Sequence, residues 1–401
     1  MNLNRNADLK TELSERVNRV KPSPTLAVTA KAAELRASGK DVIGLGAGEP
    51  DFDTPEHIKE AAIGAIRDGF TKYTAVDGTP ALKQAVATKF KKDNGLDYAA
   101  DQILVSVGGK QSFFNLAQAL IGPADEVIIP APYWVSYPDM VLLADGKPII
   151  VEAGIQQRYK ITPEQLEAAI TPRTKLFVIN SPSNPTGVAY SRDELRALGE
   201  VLARHPQVLI ATDDMYEHIL WSDEPFSNIV MVCPELYDRT MVLNGVSKAY
   251  SMTGWRIGYA AGPADLVKAM KKVQSQSTSN PTSISQVAAQ AALEGDQSCV
   301  TEMLKAFKSR HDFVVGRLNE LDGVETIEGD GTFYTFPSVQ PVISRLSGMT
   351  DDVAFAEYLL NEAGVAVVPG SAFGAPGSIR ISFATSMENL EKALDRISGA
   401  L

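Results

Sequence analysis

Lys248 stands in SKAYSMTGWRIG, three residues beyond the apolar run TMVLNG, with Arg256 eight residues further on among Ser, Thr and Gly. A lysine at the dry end of a sheet is disfavoured as a cation, so its pKa falls and the neutral amine can attack a carbonyl. That is how a Schiff-base lysine is made, although a loop lysine is also commonly a solvated surface residue. Asp213 closes the run QVLIAT, 35 residues before Lys248. A carboxylate at a strand end inside an α/β layer needs a partner, because burying an unpaired charge is costly. A protonated pyridine nitrogen would supply one, and Tyr216 could donate to a phenolate oxygen of the same ring. The alternative is that Asp213 caps a helix and Tyr216 belongs to the core.

Three further positions carry chemistry. Asn184 lies between prolines and a glycine in SPSNPTG, a composition that holds its amide on a rigid loop. Arg380 interrupts the apolar strand SIRISFA, with Ile379 and Ile381 expected on the opposite face. A planar anion suits it, and a bidentate carboxylate is the best match, with a structural ion pair as the other reading. In VSVGGKQSFFN, Lys110 follows two glycines at a strand-to-helix turn, where backbone NH groups attract anions. The spacing is not that of a nucleotide-binding P-loop, because Lys110 is followed by Gln111 and Leu104 stands where the first glycine would be. His57, His205, His218 and His311 form no metal-ligand pair by spacing.

The elements that must position these residues are legible. Between about residues 101 and 262 the runs QILVSV, EVIIPAP, KPIIVEA, KLFVIN, QVLIAT, TMVLNG and RIGYAAG alternate with helix-length segments. This predicts an α/β domain with a mostly parallel seven-stranded sheet flanked by helices, in which chemistry gathers at the carboxyl ends of the strands. From about residue 283 a long amphipathic stretch precedes short strands (VETIEG, TFYTF, GVAVVPG, SIRISFA) and a closing helix, MENLEKALDRI. We expect a large domain over 47–282 and a smaller α+β domain built from 1–46 together with 283–401.

The 401 residues, 44% hydrophobic and 22% charged, suffice for a large core. A net charge of -11 and no basic patch argue against nucleic acid. Two distant cysteines, a polar N-terminus and the lack of an apolar run near the roughly 18 residues of a membrane span point to a cytoplasmic protein.

Taken together, GAGEPDFDTP, KYTAVDG, APYWVSYP, NSPSNPTG, DDMYE, SKAYSMTGWRIGY and SIRISFA resemble the class I pyridoxal-phosphate-dependent aminotransferases of fold type I. More narrowly, they are similar to the bacterial aspartate aminotransferases of the Ib branch. The resemblance implies pyridoxal 5'-phosphate as cofactor, with Lys248 bonding it and moving the substrate proton. Asp213 would pair with the pyridine nitrogen, Asn184 and Tyr216 with the ring hydroxyl oxygen, and Trp134 would stack on the ring. The phosphate would lie on the Gly109 and Lys110 backbone and on Arg256, and Tyr73 would reach the phosphate of a neighbouring subunit in a homodimer.

For the substrate, the resemblance assigns the α-carboxylate to Arg380, assisted by the Gly48 backbone and Asn184, and the distal carboxylate of a dicarboxylic amino acid to Lys110. It implies transfer of the aspartate amino group to 2-oxoglutarate, with prephenate, which some members of the branch associate with the Lys21 position, or an aromatic 2-oxo acid as alternative acceptor. Two departures stand out: Asp214 replaces the usual glutamate, and Gly245 stands where the other aspartate aminotransferase branch has a phosphate-binding serine.

Overall fold

The computed structural model describes residues 11–401, so the reading of the polar N-terminus lies partly outside the described residues. Seven strands form the main sheet: β1 Ile103–Ser106, β2 Glu126–Ala131, β3 Lys147–Glu152, β4 Thr174–Asn180, β5 Leu209–Asp213, β6 Thr240–Gly245 and β7 Gly258–Ala261. Their order is β1-β7-β6-β5-β4-β2-β3, parallel except for β7, which runs antiparallel to both neighbours. Each run singled out in the sequence is one of these strands. Side-chain alternation gives the sheet two apolar faces. Ile103, Val105, Phe177 and Val242 enter one core, while Leu104, Leu176, Val178 and Leu243 enter another.

Helices cover both cores. Gly109–Leu120 packs beside Ala264–Ser275, and the alanine-rich Ser283–Glu294 lies against Glu56–Arg67 and Pro80–Lys89. The amphipathic stretch after residue 283 is therefore two helices, broken at Gly295, and only the second, Ser298–Asn319, turns to the other unit. Small residues explain the difference. Ala288, Ala289 and Ala292 are buried in the sheet's own core, whereas Met303, Phe307, Val314 and Leu318 fill a second cluster with Phe333, Ile381 and Phe383.

That second unit holds a small antiparallel sheet in which Ile379–Ser382 pairs with Val368–Pro369 on one side and Tyr334–Thr335 on the other. The run GVAVVPG is split: Val365–Ala366 pairs in parallel with Ile43–Gly44, and the chain then changes partners at Val367. VETIEG, expected as a strand, makes only an isolated bridge, Glu325 to Ser338. All four residues of Ile379–Ser382 are buried, so both faces of this strand are covered rather than one.

Behind the carboxyl ends of β5 and β6 lies a buried ion pair, Lys89 with Glu217. Asn94 Nδ2 and Asn244 Nδ2 also donate to Glu217, at 2.9 and 2.8 Å. Burial alone would raise the Glu217 pKa, but the Lys89 charge, together with His218 and the hydrogen bonds from Asn94 and Lys89, outweighs it and holds the pKa below the usual value. The pair's contribution is thus present at neutral pH and fades as the pH falls through the acid range. Lys89→Met should cost about 3–5 kcal/mol by leaving a buried carboxylate unpaired, and adding Glu217→Gln should restore most of it. Urea unfolding of the two variants checks this.

Candidate active site

A cleft of about 450 Å3 opens at the carboxyl ends of β4, β5 and β6, between the main sheet and the second unit. The Lys248 ammonium donates to the Gly48 carbonyl, and Phe333 lies 5.8 Å away. Burial foremost, then the Arg380 charge, pulls its pKa down to about 8, partly opposed by Glu49 and Asp213. A substantial fraction is therefore neutral amine in mildly alkaline solution. Asp213, at the end of β5, accepts from the buried Tyr137 hydroxyl and, at 3.3 Å, from the Met215 amide. Burial pushes its pKa up, and the Tyr137 bond counters that most. A cationic ring nitrogen would complete a carboxylate held in this way.

Asp214 points away from the cleft. It accepts from Thr212 Oγ1 at 2.7 Å and Asn228 Nδ2 at 2.6 Å, and burial pushes its pKa up to about 7. The shorter side chain is thus fully engaged behind the site.

At the start of helix Gly109–Leu120 the chain has no side-chain cap, and among the described residues the Gly109 and Lys110 amides have no acceptor. Gly108 has φ 80°, and a Cβ there would lie 2.3 Å from Arg256 Nη2. Glycine is needed on both counts. Arg256 donates to the Val107 and Thr253 carbonyls at 3.2 and 2.9 Å and faces the same opening. Free amides, a helix N-terminus and a guanidinium form a cradle for a phosphate-sized anion. Gly245 has a packing reason of its own, since a Cβ would sit 3.0 Å from Gly258 Cα and 3.1 Å from the Ile257 carbonyl. A serine would require its β6–β7 neighbours to give by a few tenths of an ångström.

Arg380 is 2% exposed and forms no ion pair among the described residues. Nη1 donates to Asn184 Oδ1 and Nη2 to the Gly46 carbonyl, both at 2.8 Å, while Nε is buried without a partner. Tyr334 and Phe373 lie against the guanidinium, 4.4 and 4.9 Å from its carbon. A buried cation with no anion is costly to keep, so the site is built for an incoming carboxylate. The Asn184 carbonyl is committed to Arg380, which leaves its Nδ2 as the donor for a ligand.

Lys110 extends past Trp134, its ammonium 5.2 Å from the ring centroid. Although the side chain is exposed, surrounding protein desolvates the ammonium and, with Arg256, lowers its pKa. Trp134 in turn meets Tyr137 edge-on at 5.2 Å.

Of the eleven residues singled out from sequence, ten line this cleft: Gly48, Gly109, Lys110, Trp134, Asn184, Asp213, Tyr216, Lys248, Arg256 and Arg380. Tyr73 does not. It is 90% exposed on a loop outside the cleft. Lys21 lines a neighbouring cavity of about 710 Å3, on the far side of helix Pro24–Ala37. Sequence reasoning missed Tyr137, Asn180 and Tyr334. Asn180 bridges two strand ends, giving Nδ2 to the Asp213 carbonyl and taking the Asn184 amide, both at 2.8 Å. Tyr137 lies in the first turn of helix Ser136–Leu143, three residues after Trp134, which precedes that helix, and this closeness in sequence was its one signal.

This geometry can be set beside known proteins. Residues 40–397 match the family model for aminotransferase class I and II. The chain belongs to this family. Among relatives, the aspartate/prephenate aminotransferase of Nitrosomonas europaea is 62% identical over 395 residues, covering 97% of this chain and 100% of that one. That of Cereibacter sphaeroides is 59% identical, covering 96% and 97%. Among solved structures, the aspartate aminotransferase from Rhizobium meliloti superposes with a TM-score of 0.94 at 50% identity, covering 97% and 98%. The Thermus thermophilus aspartate aminotransferase with maleate gives 0.91 at 46%, covering 98% and 100%. The mostly parallel seven-stranded sheet with its smaller partner is thus an aminotransferase architecture, and the chain is a transaminase.

Proposed function

We propose that this transaminase transfers the amino group of L-aspartate to 2-oxoglutarate, using pyridoxal 5'-phosphate. The observation that carries the reading is the pairing of a buried, anion-free Arg380 with Lys110 across one cleft, two cations for the two carboxylates of a dicarboxylic substrate. The maleate in the Thermus thermophilus structure, also a dicarboxylate, supports it.

The residues present fit the cofactor, since the uncapped helix start and Arg256 suit a phosphate and Asp213 suits a ring nitrogen. When bound, it supplies an electrophilic carbon and an electron-accepting ring. Asp213, whose charged form the Tyr137 hydroxyl favours against burial, would pair with the ring nitrogen and hold its proton. Tyr216 and Asn184 Nδ2 would donate to the ring oxygen, and Trp134 would cover one ring face. Arg380, with Gly48 and Asn184 beside it, fixes the α-carboxylate. The Lys248 amine would hold and move the substrate Cα proton, acting as general base and acid.

Further parts of the reading rest on the same resemblance. We place the protein in the cytoplasm as a homodimer in which the partner's Tyr73 reaches the phosphate, consistent with its exposure here. The chain would divide into a large unit over 47–282 and a smaller one built from 1–46 with 283–401, with helix Ser283–Glu294 of the smaller unit packed in the larger one's core.

A second reading adds prephenate as an acceptor, and the relatives at 62% and 59% identity favour it. Initial rates with oxaloacetate, prephenate and phenylpyruvate separate the two. In the same assay Lys110→Ala should lower kcat/KM for aspartate by about 10- to 100-fold and for alanine by less than about threefold, the loss of one charge-assisted bond. Equal losses for both would remove Lys110 as the reader of the distal carboxylate.

A further inference from the structure

The Tyr216 hydroxyl is buried, and its hydrogen-bond partner among the described residues is the Tyr334 hydroxyl, 3.0 Å away. Tyr334 comes from the small antiparallel sheet, Tyr216 from the loop after β5. The contact therefore crosses from the second unit to the main sheet. On its own strand Tyr334 pairs with Ser382, two residues from Arg380, and its ring faces that guanidinium at 4.4 Å. Its hydroxyl also borders Gly48, where a Cβ would lie 3.2 Å away, and the Gly48 carbonyl is the acceptor for Lys248. One side chain thus touches the anion site with its ring and the Lys248 end of the cleft with its hydroxyl.

We propose that Tyr334 is a positioning residue that acts through Tyr216, its hydroxyl fixing the direction in which Tyr216 gives its proton. The inference rests on the pyridoxal phosphate reading above. Between two hydroxyls either can donate, but a ring oxygen is an acceptor and takes the Tyr216 proton. Tyr334 must then be the donor in the 3.0 Å contact. A donor behind Tyr216 strengthens its outgoing bond, because hydrogen bonds in a chain polarise one another in a dry site. The stronger that bond, the less proton affinity remains for the nitrogen at Lys248. The Tyr334 hydroxyl therefore lowers the pH at which the loaded site gives up its proton. Its ring, resting on Arg380, keeps the hydroxyl in register with the substrate's α-carboxylate.

The test is a pH titration of the visible absorbance of the cofactor-loaded enzyme for wild type, Tyr334→Phe, Tyr216→Phe and the double variant, with kcat and KM for aspartate. Phenylalanine retains the ring over Arg380, and thermal unfolding verifies that the variants fold. Tyr334→Phe should raise the absorbance midpoint by about half a pH unit and lower kcat about fivefold, with KM changed less than about twofold. In the Tyr216→Phe background the same change should shift the midpoint no further. A wild-type midpoint in Tyr334→Phe overturns the proposal, whether KM rises, which would assign the hydroxyl to substrate, or stays put, which would make it structural. An equal shift in both backgrounds overturns the route through Tyr216. A wild-type protein with no visible absorbance in the presence of cofactor would instead fail the cofactor reading itself.

Discussion

Lys248→Ala lowers the transamination rate by about 10^4-fold or more while the protein stays folded. The replaced amine is desolvated and poised near neutrality, its pKa pulled down to about 8 by burial and by Arg380. General acid-base catalysis alone accounts for a factor of about 10^2 to 10^4, and the covalent role proposed for the amine would add to it. The stability effect runs the other way. A lysine pKa below its unfolded value means that folding disfavours the cation. The penalty is fully present below about pH 8 and vanishes above the unfolded pKa of about 10.5. Cofactor-free Lys248→Ala should therefore melt no lower than the wild type, with its advantage greatest below about pH 8. Melting curves at several pH values, beside turnover assays, check both halves.

Arg380→Leu gives the second large effect, a fall of about 10^3-fold in kcat/KM for every amino acid tried, alanine included. The bidentate pair proposed between Arg380 and the α-carboxylate would be lost, and truncating one partner of such a pair costs about 2–5 kcal/mol. This separates Arg380 from Lys110, whose loss spares substrates with no second carboxylate. Stability again distinguishes the account from a structural role. In the free protein Arg380 is a desolvated cation without an anion and with an unpartnered Nε. An apolar side chain of similar bulk should be tolerated or should raise the melting temperature. Inactivation accompanied by unfolding would mean that Arg380 is a structural residue.

Sequence reasoning reached the main sheet strand by strand because every strand but the partly exposed edge strand Lys147–Glu152 is largely buried on both faces, and each contains an apolar run bounded by turn residues. Strand-end location then pointed to Asp213 and Lys248 before any packing was known. The second unit was less legible. Its strands are two to four residues long, too short to set up a period, so VETIEG looked like a strand and GVAVVPG looked like one strand instead of two. Helix Ser283–Glu294 was assigned by its position in the chain, whereas its alanines suit the close approach of Glu56–Arg67 and Pro80–Lys89. The residues missed at the site share a cause. Tyr137, Asn180 and Tyr334 matter through partners 76, 33 and 118 residues away, and no local pattern records such pairings. The alternation expected around Arg380 placed it on a separate face from its isoleucines but did not foretell that both faces are covered.

The central claim is that one cleft combines a Lys248 amine with two cations, Arg380 and Lys110, for the two carboxylates of a dicarboxylic amino acid. The most direct measurement is the absorbance spectrum of the cofactor-loaded enzyme on addition of L-aspartate alone, with no oxo acid present. The account predicts stoichiometric loss of the aldehyde-form band, appearance of the amine-form band, and its reversal by 2-oxoglutarate. A spectrum unchanged by aspartate, in an enzyme that does carry the cofactor, would contradict it.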